Sequence, residues 1–302
     1  MLKIGFVDFW GDGWDRENNY FTNLLRTKYE VKIDQDDPDL LFFTVGYGGD
    51  TSALKYKNHR CKKIFYTGEN VRPNLDGPDH VIENNMAIVK SDLAISFDFS
   101  DDERNYRFPL WAMYIDWFNS QTYGNPEYII PVDKISDNKY IDTPKSEFCG
   151  FVFSNPIPMR LQVMQALNQY KQVHGYGKPF GNWNYGESKK YETLSNYKFS
   201  VCVENSISPT KGYYTEKLFH AKTAGTIPIY WSDDKCEHDF NKECFLNLND
   251  YENIEHLVED VIKIDKDEEL YQEIFNQPLF KNNQIPDFVK PESVLRFIEG
   301  VI

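Results

Sequence analysis

Residues 197–231 read YKFSVCVENSISPTKGYYTEKLFHAKTAGTIPIYW, and this stretch decides the fold. Phe199–Val203 is a run of apolar, β-prone residues that stops at Glu204-Asn205-Ser206. A loop with Pro209 and Gly212 follows, and Thr215-Glu216-Lys217 then opens a helix, Thr215 standing where an N-cap is wanted. The helix runs over Thr215–Ala224 and leads to a second apolar strand, Ile227–Trp231. Strand, crossover helix and strand make one unit of a parallel sheet. The start of such a helix presents free N–H groups and a positive dipole end, which suit a diphosphate. Lys217 adds a cation there, and Glu216 is an acceptor for ribose or sugar hydroxyls. The plainer reading of Glu216 is an acidic first-turn residue that only complements the dipole.

The same alternation extends in both directions. Upstream, Phe148–Ser154 reads as a strand, and Pro158–Tyr170 as a helix with Leu161, Met164 and Leu167 on its apolar face. Downstream, 253–275 is acidic and helical, and 292–301 forms an amphipathic final helix. Towards the N-terminus, Lys3–Phe9, Val31–Ile33, Leu40–Val45, Lys63–Thr67 and Leu93–Phe97 read as short strands, with a helix over Glu17–Lys28. Between the two series, residues 118–147 are rich in Asn, Pro, Asp, Ser and Lys and carry no period, the pattern of a linker or long excursion. Two Rossmann-like α/β units are expected, with ligands at the carboxyl ends of the strands.

Composition agrees with an ordered two-domain chain and excludes several functions. The 302 residues are 41% hydrophobic and 16% aromatic, well away from disorder. Net charge is −14 with no basic stripe, which argues against a nucleic-acid partner. An anionic ligand then needs a local cationic site inside an acidic protein. Cys61, Cys149, Cys202, Cys236 and Cys244 form no CxxC pair and read as buried free thiols of a reduced compartment; Cys236, His238 and Cys244 match no standard zinc spacing. The N-terminus enters a strand directly, with no signal-peptide pattern, and no apolar run reaches membrane-spanning length. A cytoplasmic location is expected.

The order of residues in 197–231 resembles the α-1,3-fucosyltransferases, glycosyltransferase family 10. The matching positions are Tyr197-Lys198-Phe199, Glu204-Asn205-Ser206, Tyr213, Thr215-Glu216-Lys217 and Ile227-Pro228-Ile229. FYTGENVRPN at 65–74 and FSNPIPMR at 153–160 are similar to two further segments of that family, and Trp10-Gly11-Asp12 and Phe108-Pro109-Leu110-Trp111 to weaker ones. The resemblance implies a GT-B fold, two Rossmann-like domains facing a central cleft. It implies an acceptor domain over 1–125, a donor domain over 126–285 and a C-terminal helix, 286–302, packing back on the first. It implies inverting transfer of L-fucose from GDP-β-L-fucose to a glycan hydroxyl, α-1,3 to GlcNAc or Glc. Donor binding falls by position to Arg160, Asn205, Tyr213, Glu216 and Lys217. The chain departs from the pattern at Val203, where the family has Phe, and at Ser232, where it has Gly.

Inverting transfer needs a base, and Glu69, just past the strand Lys63–Thr67, is the residue the resemblance assigns, with Gly68 expected to let the chain turn. Gly175 and Gly177 form a GxG that would let backbone approach the donor or simply makes a turn. Trp10, Trp14 and Asn70 are expected at the acceptor, the indoles offering flat faces to sugar rings; core packing is the competing role for the aromatic residues. No cofactor is required beyond the donor, a divalent metal being at most stimulatory. Peripheral membrane association and a homodimer stay open.

Two other readings remain. One is a transferase of the same fold that uses another sugar nucleotide, or a non-catalytic glycan- or nucleotide-binding protein. The other is metal-dependent chemistry at Asp34-Gln35-Asp36 or Asp265-Lys266-Asp267, both of the DxD form, although the first sits in an acidic turn and the second in an acidic helical stretch. Turnover is expected to be unaffected by EDTA; activity abolished by chelation and restored by Mn²⁺ would bring the DxD reading back.

Overall fold

The computed structural model describes residues 1–9, 14–45, 52–70, 91–118, 129–136, 144–182, 187–206 and 208–302. Trp10 lies outside the described residues. The chain divides into two compact units, one of residues 1–126 with 287–302 and one of residues 127–286.

The first unit is built on a six-stranded, fully parallel sheet. Its strands are β1 (Leu2–Val7), β2 (Val31–Ile33), β3 (Leu40–Phe43), β4 (Lys62–Thr67), β5 (Leu93–Ser96) and β6 (Asn105–Arg107), in the order β2-β1-β3-β4-β5-β6. β3 and β5 are buried at every residue, as strands covered on both faces must be. β6 is the strand the apolar pattern does not reveal, because an edge strand of sequence Asn-Tyr-Arg carries no hydrophobic signal. The helix expected over Glu17–Lys28 is shorter, α1 (Tyr20–Arg26). Asn19 caps it, its Oδ1 accepting from Thr22 N at 3.0 Å. The core is aromatic: Phe6, Phe9, Phe21, Phe42 and Tyr66 stack or meet edge-on at 4.8–6.3 Å.

The second unit repeats the plan with five parallel strands, β7 (Glu147–Val152), β8 (Val173–Tyr176), β9 (Tyr197–Val203), β10 (Ile227–Trp231) and β11 (Leu246–Asn247), in the order β8-β7-β9-β10-β11. Its longer helices are α2 (Pro158–Asn168), α3 (Glu187–Leu194), α4 (Glu216–Thr223), α5 (Ile254–Lys266) and α6 (Glu268–Phe275). In both sheets the first strand lies between the second and the third, so the chain reverses direction of winding there and opens a crevice at the strands' carboxyl ends.

Several details differ from the sequence reading. α2 buries Arg160, Val163 and Leu167, while Leu161 is 44% exposed. Positions 160, 163 and 167 keep helical spacing, but the buried arginine rotates the face by one residue. The single helix expected over 253–275 breaks at Asp267, whose backbone is extended and whose Oδ1 accepts from Leu270 N at 3.1 Å to start α6. Inside α4, Lys222 is fully buried and its ammonium donates to Phe275 O at 2.6 Å, tying α4 to α6. Burial pushes its pKa down to about 8. The closing helix α7 (Pro291–Ile298) belongs to the first unit, where Tyr29 donates to Glu299 Oε1 at 2.7 Å and Tyr106 to Phe288 O at 2.7 Å.

Gly177 has φ +113°, and a Cβ there would stand 2.1 Å from Phe153 O; Gly181 has φ +68° with nothing within 4 Å. Gly177→Ala is expected to cost about 3 kcal/mol, from backbone strain and overpacking together. Gly181→Ala should cost about 1 kcal/mol, from strain alone. Urea unfolding of the two variants checks both; equal midpoints would show that the Phe153 contact is not what demands the glycine.

Candidate functional site

The carboxyl ends of β7, β9 and β10 carry a cluster of charged side chains organised around Glu204. This residue directly follows β9 and is 3% exposed. Its Oε1 accepts from Thr215 N at 2.8 Å and from the Tyr230 hydroxyl at 2.9 Å. Its Oε2 accepts from Thr215 Oγ1 at 2.7 Å and from Lys217 Nζ at 3.2 Å. A buried carboxylate needs this many donors to stay charged. The arrangement corrects the simple cap reading. Thr215 stands at the N-cap of α4, but its hydroxyl serves Glu204 and makes no cap bond of its own, and its N–H is taken by the same carboxylate. That N–H is therefore not open to a ligand.

Lys217 Nζ also donates to Thr215 Oγ1 at 2.8 Å and approaches Glu216 Oε1 at 3.7 Å. Burial works against its charge, but the fields of Glu204 and Glu216 outweigh it and hold its pKa above the ordinary lysine value. Glu216 is 13% exposed and is met from α3 by Lys190 at 3.3 Å. Burial would raise its pKa, yet Lys217, Lys190 and His220 pull it far below the usual carboxylate range. Arg160 from α2 is 2% exposed, its Nε and Nη2 donating to Val203 O at 3.1 and 2.9 Å and its Nη1 to Asn155 O at 2.6 Å. Burial lowers its pKa, with Glu204, Tyr213 and Glu216 opposing. Three cations thus face two carboxylates in a chain of net charge −14, the local cationic excess an anionic ligand requires.

Around this cluster, Asn155 in the loop after β7 donates to Asn205 Oδ1 at 2.8 Å, so the loops after β7 and β9 are joined where the winding reverses. Asn205 is exposed, and Tyr213 is buried. Asp233, just past β10, takes Gly212 N at 3.1 Å and the Tyr214 hydroxyl at 3.0 Å, which holds the loop before α4 closed. The sequence reading missed Lys190, Asp233 and the pivotal part of Glu204. Lys190 had a faint signal, a Lys-Lys pair in a charged helix just before β9; the other two sit at strand ends, where the search was directed. Gly175 and Gly177 are required by packing inside this unit. The Phe180 ring fills the place of a Gly175 side chain, and the Phe153 carbonyl that of Gly177.

In the first unit, Glu69 follows β4 and is partly buried. Thr67 Oγ1 accepts from Glu69 N at 3.1 Å and donates to Glu69 O at 3.2 Å, which sets the backbone of this turn. Gly68 does not have the positive φ of a sharp glycine turn. It is needed because a Cβ would stand 2.8 Å from Leu110 Cβ and 2.9 Å from the Tyr66 hydroxyl. Asn70 is buried. Trp14 stacks on Phe9 at 4.4 Å and meets Phe6 edge-on at 4.9 Å, so the aromatic core occupies at least one of its faces.

The two DxD segments do structural work. Asp34 Oδ1 accepts from Asp37 N at 3.1 Å, closing a turn, and Oδ2 pairs with Lys32 at 3.2 Å. Asp265 accepts from the Tyr170 hydroxyl at 2.9 Å and pairs with Lys171 and with Lys198. Among the described residues no three His, Cys, Asp or Glu side chains group as a metal would need. All five cysteines are buried and free. Among the described residues no helix is long and apolar enough to cross a membrane.

Two family models match the chain. One, described as the alpha-(1,3)-fucosyltransferase FucT N-terminal domain, matches residues 4–114; the other, glycosyltransferase family 10 (fucosyltransferase) C-term, matches residues 143–283. The alpha-(1,3)-fucosyltransferase FucT of Helicobacter pylori is 31% identical over 288 residues, 85% of this chain and 56% of the relative. The human 4-galactosyl-N-acetylglucosaminide 3-alpha-L-fucosyltransferase 9 is 30% identical over 148 residues, 47% of this chain and 40% of the relative. The chain spans about half the length of the curated relatives it matches. A crystal structure of an alpha1,3-fucosyltransferase with GDP-fucose superposes with TM-score 0.72 and 25% identity over 99% of this chain and 90% of that one. The fold class is GT-B, built from two Rossmann-like α/β units.

If the Glu204 carboxylate holds the loop and the start of α4, its removal must unfold them. Glu204→Gln, which keeps an acceptor for Thr215 N but loses the charge facing Lys217, is expected to cost about 2 kcal/mol. Glu204→Ala should cost about 4 kcal/mol, because it also strands the Tyr230 hydroxyl and leaves Lys217 without its buried partner. Wild-type urea midpoints for both variants would remove Glu204 from this role.

Proposed function

We propose the following reaction on one premise: the chain belongs to glycosyltransferase family 10, the fucosyltransferases. It transfers L-fucose from GDP-β-L-fucose to a hydroxyl of a glycan acceptor, with inversion at the anomeric carbon. The observation that carries the reading is the cationic cluster at the carboxyl ends of β7 and β9, where Lys217 and Arg160 stand beside Glu216 within the family's own order of residues.

As the bond from the anomeric carbon to the phosphate oxygen breaks, negative charge grows on the leaving diphosphate. Lys217 and Arg160 stabilise it, Lys217 as a point charge and Arg160 through the N–H groups not spent on Val203 and Asn155. Asn205 and Tyr213 hold the nucleotide diphosphate, and Glu216 accepts a hydroxyl of ribose or fucose. The acceptor oxygen forms its bond to the opposite face of the anomeric carbon, and its proton passes to the Glu69 carboxylate; GDP leaves. With this charge supplied by side chains, no step requires a divalent metal. The acceptor proposed is GlcNAc or Glc with an α-1,3 linkage, and the name of the human relative supports the GlcNAc form.

A donor screen tests the assignment. GDP-fucose, other GDP-sugars and UDP-sugars are offered with GlcNAc- and Glc-terminated acceptors, and only GDP-fucose is expected to be consumed; binding of a UDP-sugar with none of GDP-fucose would sink it. Glu69→Gln should keep wild-type GDP affinity while transfer falls at least ~100-fold, the usual scale for a general base. Near-normal transfer would take Glu69 out of the mechanism.

A further inference from the structure

Lys190 is an almost fully buried lysine whose ammonium lies 3.3 Å from Glu216 Oε1. The helix that carries it, α3, is held firmly. Tyr191, the next residue, donates from its hydroxyl to Thr223 O on α4 at 2.7 Å, and Lys145 Nζ donates to Ser195 O at the helix end, 2.8 Å away. Lys190 is thus a fixed cation rather than a surface side chain that swings in from solvent.

Glu216 is approached by two ammonium groups, and both come closest to the same oxygen, Oε1. Among the described residues no side chain hydrogen-bonds to Oε2. The two lysines are not equivalent. Lys217 is engaged first with Glu204 and Thr215, at 3.2 and 2.8 Å, and reaches Glu216 only at 3.7 Å. A bound diphosphate draws on Lys217 further. Glu216 would then be an anion beside an anion, and such a carboxylate turns away or takes up a proton unless another cation stays with it. Lys190 is that cation.

We propose that Lys190 is a positioning residue of the donor site, holding the Glu216 carboxylate fixed and charged through Oε1 so that Oε2 accepts a hydroxyl of the sugar nucleotide next to its diphosphate. The proposal rests on the donor reading above and adds to it the means by which an acidic residue is tolerated beside an anionic ligand. Lys190 acts through Glu216 and touches no reacting atom.

The test is a double-mutant cycle between Lys190 and Glu216, read as donor KM, kcat and GDP affinity. Lys190→Met and Lys190→Gln are each expected to raise the KM for GDP-fucose about tenfold, the worth of one hydrogen bond to a charged group, with kcat within about twofold of wild type. Lys190→Arg should restore most of the loss. In a Glu216→Gln background the same Lys190 changes should have no further effect, since the residue they act through is already neutral. A parallel loss of GDP affinity identifies the hydroxyl as the ribose's; a loss confined to GDP-fucose identifies it as the fucose's. The proposal is overturned if the single effects multiply in the double variant, or if both neutral variants keep the wild-type KM. Thermal melting of each variant separates these outcomes from misfolding, and Lys190→Gln, which keeps a donor at the site, stands in should Lys190→Met fail to fold. Should the wild type consume a different sugar nucleotide, the donor assignment falls by itself, and the same cycle run with that donor still decides the role of Lys190.

Discussion

One buried carboxylate holds the second unit's functional end together. Glu204 receives four hydrogen bonds, from the backbone and hydroxyl of Thr215, from Tyr230 and from Lys217. Those donors come from the loop before α4, from α4 itself and from β10, so the end of β9 is joined to everything that follows it for some thirty residues. The physical constraint is strict. A charge at 3% exposure is stable only if every lone pair is met, and meeting them dictates where the helix starts and where Lys217 points. Lys217 and Glu216 beside it take their places from that requirement.

The same constraint explains how an acidic protein keeps a cationic site. Charges here are arranged in alternation, Lys190 with Glu216 and Lys217 with Glu204, with Arg160 bonded to the strand-end carbonyl of Val203. Glu204 and Glu216 hold Lys217 charged against its burial, and Lys217 and Lys190 hold Glu216 ionised. The ammonium groups of Lys190 and Lys217 are thereby already in position and largely shielded from solvent, the preorganisation that the proposed binding of a diphosphate draws on.

The two ends of the second sheet carry different polar networks. At the amino end of β9, Tyr197 is bonded to His174 and Tyr176, and Lys198 reaches Asp265 beside Lys171 and Tyr170. These close upon themselves. At the carboxyl end Asn205 stays exposed, and among the described residues no side chain hydrogen-bonds to Glu216 Oε2. In the DxD of 265–267, Asp265 is taken up by Tyr170, Lys171 and Lys198. A sequence pattern of two acids cannot say whether lysines wait beside them, and here two do.

The amino-acid sequence by itself determined the alternation of strands and helices, the two α/β units and the order of residues that marks the family, because apolar periodicity and short motifs are local in the chain. It also pointed to Glu216 and Lys217, which sit in the first turn of a legible helix. Polar or charged elements escaped it: β6, α3 and the break at Asp267 have no apolar pattern to read. Only the tertiary structure decided that Leu161 faces outward and Arg160 inward, and that Gly175 and Gly177 answer to Phe180 and Phe153. It alone decided that Glu204 organises the site and that Lys190 stands on Glu216. Those facts depend on which side chains meet across separate strands and helices. Desolvation and hydrogen-bond satisfaction settle that, and both exist only once the chain has closed around the groups concerned.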